Sequence, residues 1–332
     1  MRIWRAALLC WLLAGCTPWQ SALHPGSPQA ELLADIIWLF TIVCTIVWLV
    51  VMAALAVALL RRRAPRPDPL ARDAVREHRA LLTIGSAIAV TFLIVAALTA
   101  VSFLGQKRLF AQTSPRVTIT LTGYQWWWEA RYDDPRPNRT FTTANEIHVP
   151  VGEPVSITLK SFDVIHSFWV PNLAGKVDLI PGQTNQVQFV ASRAGTYRGQ
   201  CAEFCGWQHA HMGLVVVVDE KDAFEKWREA QIKPADPPSD PDRQKGHDVF
   251  HAKACMMCHQ IRGAPAGGRS GPDLTHLASR KDIAAATLKN TRGNLAAWIV
   301  DPQSIKPGTQ MPLVTIAPDE LDPLLSYLEG LQ

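Results

Sequence analysis

The chain has 332 residues, of which 48% are hydrophobic and 19% charged, and its formal net charge is +4. At roughly 150 residues per domain there is room for two domains and something more, and so apolar a composition excludes a disordered chain. Basic and acidic residues nearly balance after Lys107, which excludes a nucleic-acid surface. The cysteines are Cys10, Cys16, Cys44, Cys201, Cys205, Cys255 and Cys258. Two close pairs, each with a histidine at metal or haem spacing, point to cofactor attachment before a disulfide framework.

Residues 1–15 combine Arg2 and Arg5 with the apolar run Ala6 to Leu13 and end in small residues, the pattern of an export signal. Leu13-Ala14-Gly15-Cys16 resembles the lipobox of bacterial lipoproteins, in which the cysteine is lipidated; the alternative is a signal peptide with a chance cysteine. Within 30–106, Ile36 to Leu60 and Ala80 to Gln106 carry no charge and no proline, and each exceeds the roughly 20 residues a spanning helix needs. The loop between them holds Arg61, Arg62, Arg63, Arg66, Arg72, Arg76 and Arg79 against Asp68, Asp73 and Glu77. Basic short loops stay in the cytoplasm, so this transmembrane hairpin puts its N-terminus and everything after Lys107 outside. Cys44 is a small apolar residue in mid-helix.

From 107 to 230 the pattern shortens. Val117-Thr-Ile-Thr-Leu-Thr122, Val155-Ser-Ile-Thr-Leu159, Asn185-Gln-Val-Gln-Phe-Val190 and Leu214–Val218 read as strands, with turns at 152–154 and 181–183. Many short strands with turn signals predict an all-β sandwich or barrel. A helix is expected over Asp219–Glu229, with Phe224 and Trp227 on one face. The segment from Cys201 to Met212 holds two thiols, His209, His211 and a thioether, and His166 lies upstream in Asp163-Val-Ile-His-Ser. Soft sulfur with imidazole suits copper. Two Cys and two His would also close a zinc site, and a Cys201–Cys205 disulfide is the remaining alternative.

Residues 231–243 hold Pro234, Pro237, Pro238 and Pro241 among charges, a semi-rigid linker of about 20 Å mean span. In 244–332, Cys255-Met-Met-Cys258-His259 is the attachment signature of c-type haem: two thiols add to the vinyl groups and His259 ligates iron. After His259 the chain has one methionine, Met311, and one histidine, His276. Methionine opposite histidine suits electron transfer, and Met311 sits in a Gly/Pro-rich loop rather than a core helix. Helices are expected over Gln244–Lys253, Asn294–Asp301 and Asp319–Gly330, with Trp298 and Tyr327 packing beside the haem in an all-α domain.

The motif Cys201-x-Glu203-x-Cys205-x-x-x-His209-x-x-Met212, with the upstream Asp163-Val-x-His166-Ser, resembles subunit II of haem–copper cytochrome c oxidases. Gly123-Tyr-Gln-Trp-Trp-Trp-Glu129, the loop Pro171–Gly182 and the hairpin are similar too, over roughly residues 30 to 230. Gly271-Pro272-Asp273-Leu274 resembles the loop beside the proximal ligand in class I cytochromes c.

The resemblance implies a cupredoxin-like barrel holding binuclear copper, CuA. Cys201 and Cys205 would bridge the metals, His166 and His209 would bind one each, and Met212 and the Glu203 carbonyl would be weak ligands. The Glu203 carboxylate would hold magnesium at the boundary with subunit I, and Trp126 would be where electrons reach CuA; packing of the barrel onto its membrane partner is the plainer role for Trp126–Trp128. His211 matches no ligand. Glu77 matches, loosely, a glutamate at the mouth of a proton channel; a solvated charge is the plainer reading.

The function so implied is the electron-input subunit of a bacterial inner-membrane cytochrome c oxidase. Donor cytochrome c, or an upstream quinol–cytochrome c reductase, would feed its haem c. CuA would pass electrons to subunit I (haem a and CuB), which reduces oxygen and pumps protons beside subunit III. The rivals are a CuA-containing electron-input subunit of a nitric oxide reductase and a non-enzymatic copper carrier.

Overall fold

The structure is a computed structural model that describes residues 20–61, 74–109 and 114–332. The export signal, Cys10, Cys16 with its lipidation, and most of the arginine loop lie outside these residues. The chain divides into two compact units, one within 32–111 and the other formed by the rest.

The first unit is a pair of helices, α1 (Pro28–Leu60) and α2 (Ala74–Leu109), of 33 and 36 residues. At 1.5 Å per residue each is about 50 Å long, ample for a hydrocarbon layer of about 30 Å. Trp38, Trp48, Val50, Leu81 and Phe92 all face outward. Water would not tolerate two such surfaces, whereas lipid does. Thr41, Thr83 and Thr99 donate their hydroxyls to carbonyls four residues back, so these hydroxyls do not meet lipid unpaired. Gly105 lies against Ile36 of the other helix. Glu77 is exposed in the first turn of α2. The first helix begins eight residues before Ile36 because Ser27 caps it: its hydroxyl accepts the Ala30 N–H (3.0 Å) and Pro28 takes the first turn. Hydropathy alone does not register a cap.

In the second unit ten strands form two five-stranded sheets. The strands are β1 (Val117–Tyr124), β2 (Trp127–Asp133), β3 (Phe141–Ala144), β4 (Glu146–Pro150), β5 (Pro154–Ser161), β6 (His166–Trp169), β7 (Val177–Leu179), β8 (Asn185–Val190), β9 (Gly195–Cys201) and β10 (Gly213–Asp219). The sheet orders are β3-β2-β1-β5-β8 and β4-β10-β9-β6-β7, with β1–β5 and β4–β10 parallel. Alternate residues of β1 are buried, as the Val/Ile/Leu against Thr pattern requires. Ile119, Leu121, Trp128, Ile157, Leu159, Phe168 and Phe189 fill the space between the sheets. Asn145 carries the chain from one sheet to the other in a left-handed conformation (φ 63°), and its side chain accepts the Trp128 N–H at 2.8 Å. Helix α3 (Lys221–Ile232) follows, with Phe224 buried and Trp227 against Tyr132 and Phe141; it starts two residues later and ends three residues later than the pattern predicts.

The C-terminal part is mostly helical: α4 (Pro241–Ala252), α5 (Arg292–Val300), α6 (Pro302–Ile305) and α7 (Pro318–Glu329), around a core of Phe250, Leu295, Leu324 and Leu328. Helix α4 starts three residues before Gln244 because Asp240 caps it, accepting the Arg243 N–H at 2.9 Å with Pro241 next. Where α4 crosses α7, a Cβ at Gly246 would sit 2.0 Å from the Pro323 carbonyl, so only glycine allows this approach.

The linker is not a free tether. Arg262 donates to the carbonyls of Gln231 and Ile232, Ala235 N–H bonds the Arg262 carbonyl (2.8 Å), and His276 meets the Lys233 carbonyl (3.0 Å). The about 20 Å flexible span is therefore corrected: residues 231–235 are fastened to the C-terminal domain by contacts that proline content does not announce.

Candidate metal and haem sites

His166 opens β6 and Cys201 closes β9, and the two strands are hydrogen-bonded neighbours. From Cys201 the chain loops out and returns at Gly213. The Cys201 N–H donates to the Met212 carbonyl (2.9 Å) and Ala202 N–H to Ser167 (3.0 Å), closing the loop at its base. A sheet end thus fixes the first imidazole and the first thiol, and the closed loop brings in the rest.

Cys201 Sγ lies 3.7 Å from Cys205 Sγ, 3.9 Å from His166 Nδ1 and 3.1 Å from the Glu203 carbonyl oxygen. Cys205 Sγ lies 3.6 Å from His209 Nδ1 and 3.8 Å from Met212 Sδ. At metal–sulfur and metal–nitrogen lengths of about 2.3 and 2.0 Å, such S···N separations correspond to angles of about 115–130° at a shared metal. Both thiols are free and buried, so the disulfide alternative is not realised. The donor chemistry fits copper: zinc would be satisfied by two thiolates and two imidazoles and would leave the buried Met212 thioether without a role. The Glu203 side chain is exposed.

The hydrogen bond between the thiols makes Cys201 the one that ionises first, pushed down to about 4 with help from His166 and the Ser167 and Glu203 backbone. The same bond, with burial, pushes Cys205 up.

Sequence reasoning assigned no role to Asp163. Its Oδ1 accepts from His166 Nε2 (2.8 Å) and the Val164 N–H (2.7 Å), and its Oδ2 accepts the Gln125 N–H (2.7 Å). With Nε2 so committed, Nδ1 faces Cys201 with its lone pair, the orientation a ligand needs. The signal was available, since Asp163 stands three residues before His166 in the motif.

Of the three tryptophans Trp126 is the one hydrogen-bonded to the loop: its indole N–H donates to the Cys205 carbonyl (2.9 Å), beside the Gln125 amide on the same oxygen (2.7 Å). Gly206, at φ 112°, lets that indole approach to within 3.0 Å of where a Cβ would stand. Trp127 stacks on Tyr124 and Trp128 is core, its ring 6.0 Å from that of His166. His211 bonds Gln208 (2.8 Å) and not the sulfurs.

In the C-terminal domain, Cys255–Met257 forms a single 3-10 turn, with Cys255 half-buried and Cys258 exposed as free thiols. The half-buried His259 donates from Nδ1 to the Pro272 carbonyl (2.8 Å), which leaves Nε2 free of protein partners among the described residues, as an iron ligand must be. Burial lowers its basicity, favouring the neutral ligating form. Met311 packs against the same core as Cys255 and Trp298. His276 spends both ring nitrogens on carbonyls, those of Gln332 (2.6 Å) and Lys233 (3.0 Å), which removes it as a rival to Met311. The residues present fit a covalent haem.

A family profile described as cytochrome c oxidase subunit II, periplasmic domain, matches residues 136–219, and one described as cytochrome c matches 244–332. The chain is 33% identical over 350 residues to cytochrome c oxidase subunit 2 of Alkalihalophilus pseudofirmus, covering 100% of this chain and 99% of the relative. It is 29% identical to that of Bacillus subtilis, covering 98% and 96%. Among solved structures, the periplasmic domain of subunit II of the Bradyrhizobium japonicum cytochrome oxidase is 34% identical, covering 36% of this chain and 95% of its own, with a TM-score of 0.34. Two family matches that contain the two ligand-bearing segments, and an end-to-end relative that spans the hairpin as well, place this chain in the cytochrome c oxidase subunit 2 family, in the form that carries a C-terminal cytochrome c domain.

Proposed function

We propose that this subunit takes electrons from a donor cytochrome c at its own haem c and hands them, by way of a binuclear CuA centre, to haem in subunit I, where oxygen is reduced and protons are pumped. The observation that carries the reading is the convergence of two thiols, two imidazoles, a thioether and a carbonyl on one pair of sulfurs 3.7 Å apart. In it Cys201, Cys205, His166 and His209, with Met212 and the Glu203 carbonyl as weaker donors, would hold the copper pair. Cys255 and Cys258 would attach the haem, and His259 and Met311 would ligate its iron. When bound, these groups exchange single electrons and nothing else.

What the chain contributes is rigidity. A ligand loop closed on a β-sheet and an imidazole held by Asp163 keep the donors in place as charge changes, so little rearrangement opposes each transfer. Trp126, bonded to the Cys205 carbonyl, is the side chain through which electrons reach the copper ligands. The exposed Glu203 carboxylate faces subunit I and holds magnesium there. The export signal and arginine loop support an inner-membrane setting with both folded domains on the periplasmic side, beside subunits I and III. Metal and optical analysis of the purified full-length chain tests the reading. Two coppers with a near-infrared mixed-valence band and one covalent haem are expected; one zinc, or no covalent haem, would overturn it.

A further inference from the structure

The buried amine of Lys306 belongs to neither cofactor site. Its residue is 2% exposed, and its Nζ donates to the carbonyls of Trp126 (2.8 Å) and Ala284 (3.3 Å), the first in the β-sandwich and the second in the cytochrome c domain. Around it the two domains are fitted together. Ala284, Ala285 and Ala286 are consecutive left-handed residues with φ between 53° and 57°, a conformation alanine adopts only at a cost. All three carbonyls are used: Ala284 on Lys306, Ala285 on the Gly213 N–H (3.0 Å) and Ala286 on Arg198 (3.0 Å). Ala286 also packs on Val215 and Val217 of β10. Gln208 of the ligand loop donates to the Pro307 carbonyl (2.8 Å), and Gly308 lies against the Trp126 ring. Gln303 then braces the next residues, taking the Gly308 N–H and donating to the carbonyls of Thr309 and Met311.

We propose that Lys306 is a positioning residue for internal electron transfer: it pins the loop that leads to Met311 onto the Trp126 carbonyl, so that Trp126 receives electrons from this chain's own haem and is closed to a free donor. The inference rests on the proposed function for the identity of the two redox groups. In the step concerned one electron leaves the ferrous iron, which becomes ferric, and reduces the copper pair by one; no proton moves, and the external donor restores the iron. Trp126 is only 8% exposed under this cover, so a second protein cannot reach it without displacing the domain. A buried amine must keep its hydrogen bonds at a cost that an apolar side chain in the same place would not bear, so its contribution is direction rather than adhesion. Its two acceptors, on different domains, are met together in one register only.

The test uses the full-length protein in detergent. In the wild-type chain, amine acylation followed by mass spectrometry should leave Lys306 at least tenfold less labelled than Lys289, whose side chain is 68% exposed. Lys306→Met should retain both cofactor spectra, both reduction potentials and the rate at which external cytochrome reduces the haem. It should raise hydrogen exchange of the Gly213 amide tenfold or more and slow haem-to-copper transfer after flash reduction by a similar factor, with Lys306→Arg recovering most of both. Labelling of Lys306 at the Lys289 rate overturns the proposal without any variant being needed. So does a Lys306→Met protein in which either the exchange or the transfer rate stays at its wild-type value. Wild-type protein lacking copper or haem would instead overturn the proposed function, while labelling and exchange still report the docking.

Discussion

Asp163→Asn is the sharpest probe of the copper site, because the substitution keeps the shape while removing the charge and one acceptor oxygen. Asp163 accepts three hydrogen bonds on two oxygens, from His166 Nε2, the Val164 N–H and the Gln125 N–H. An amide has one acceptor oxygen. If it stays on His166 and Val164, its NH2 faces the Gln125 N–H, donor against donor; if it turns, His166 loses its anchor. One hydrogen bond to a charged group is lost, worth about 1.5–3 kcal/mol. Loss of such a partner behind a metal-ligating histidine typically costs 10–100-fold in affinity, about 1.4–2.7 kcal/mol. Gln125 is next to Trp126, so the contact of that indole with the Cys205 carbonyl should loosen as well. The assay is competition for copper between the full-length protein and a chelator, followed by the near-infrared band, with amide exchange of Gln125 as a second readout. Wild-type copper affinity together with wild-type protection of Gln125 would refute the reasoning.

Cys205→Ser should abolish the mixed-valence copper spectrum while the covalent haem remains, since a hydroxyl cannot bridge two soft metals; metal analysis and optical spectra of one sample check both. His148 is buried between Asp219 (2.6 Å) and Glu146 (3.2 Å); burial opposes its protonation, but the bonds to these carboxylates outweigh that and raise it above the ordinary imidazole value. A raised value in the folded state means stability that is full below about pH 6.5 and lost as pH rises through the raised value. The thermal midpoint of His148→Gln should therefore fall further below wild type at pH 6 than at pH 9, and an equal gap at both would contradict the ion-pair account. Gly246→Ala places a methyl 2.0 Å from the Pro323 carbonyl, so α4 and α7 must part at a cost of about 1–3 kcal/mol or more; denaturation followed by haem absorption should show it, and an unchanged midpoint would mean the crossing is loose.

Features that depend on local pattern were legible before any coordinates. Apolar length alone marks the two spanning helices, period-two alternation marks β1, β5 and β8, and sulfur and imidazole spacing marks both cofactor segments, because ligands within one loop must be close in sequence. Even the misplaced starts of α1 and α4 were signalled by Ser27-Pro28 and Asp240-Pro241. The choice of Met311 over His276 was legible too, from the Gly/Pro-rich loop around the methionine, and the carbonyls of Lys233 and Gln332 that occupy His276 agree with it. Two things were not legible. The linker is fastened by Arg262, thirty residues downstream of the carbonyls it holds. The docked cytochrome domain depends on Lys306, 180 residues from Trp126, and on three alanines in a conformation that alanine avoids in isolation. Local periodicity reflects which face of an element meets the core, and that is written into neighbouring residues. A buried amine bonded to a distant carbonyl, or a left-handed alanine held by a partner strand, leaves no such trace, because its free energy is supplied by residues that only the tertiary fold brings within reach.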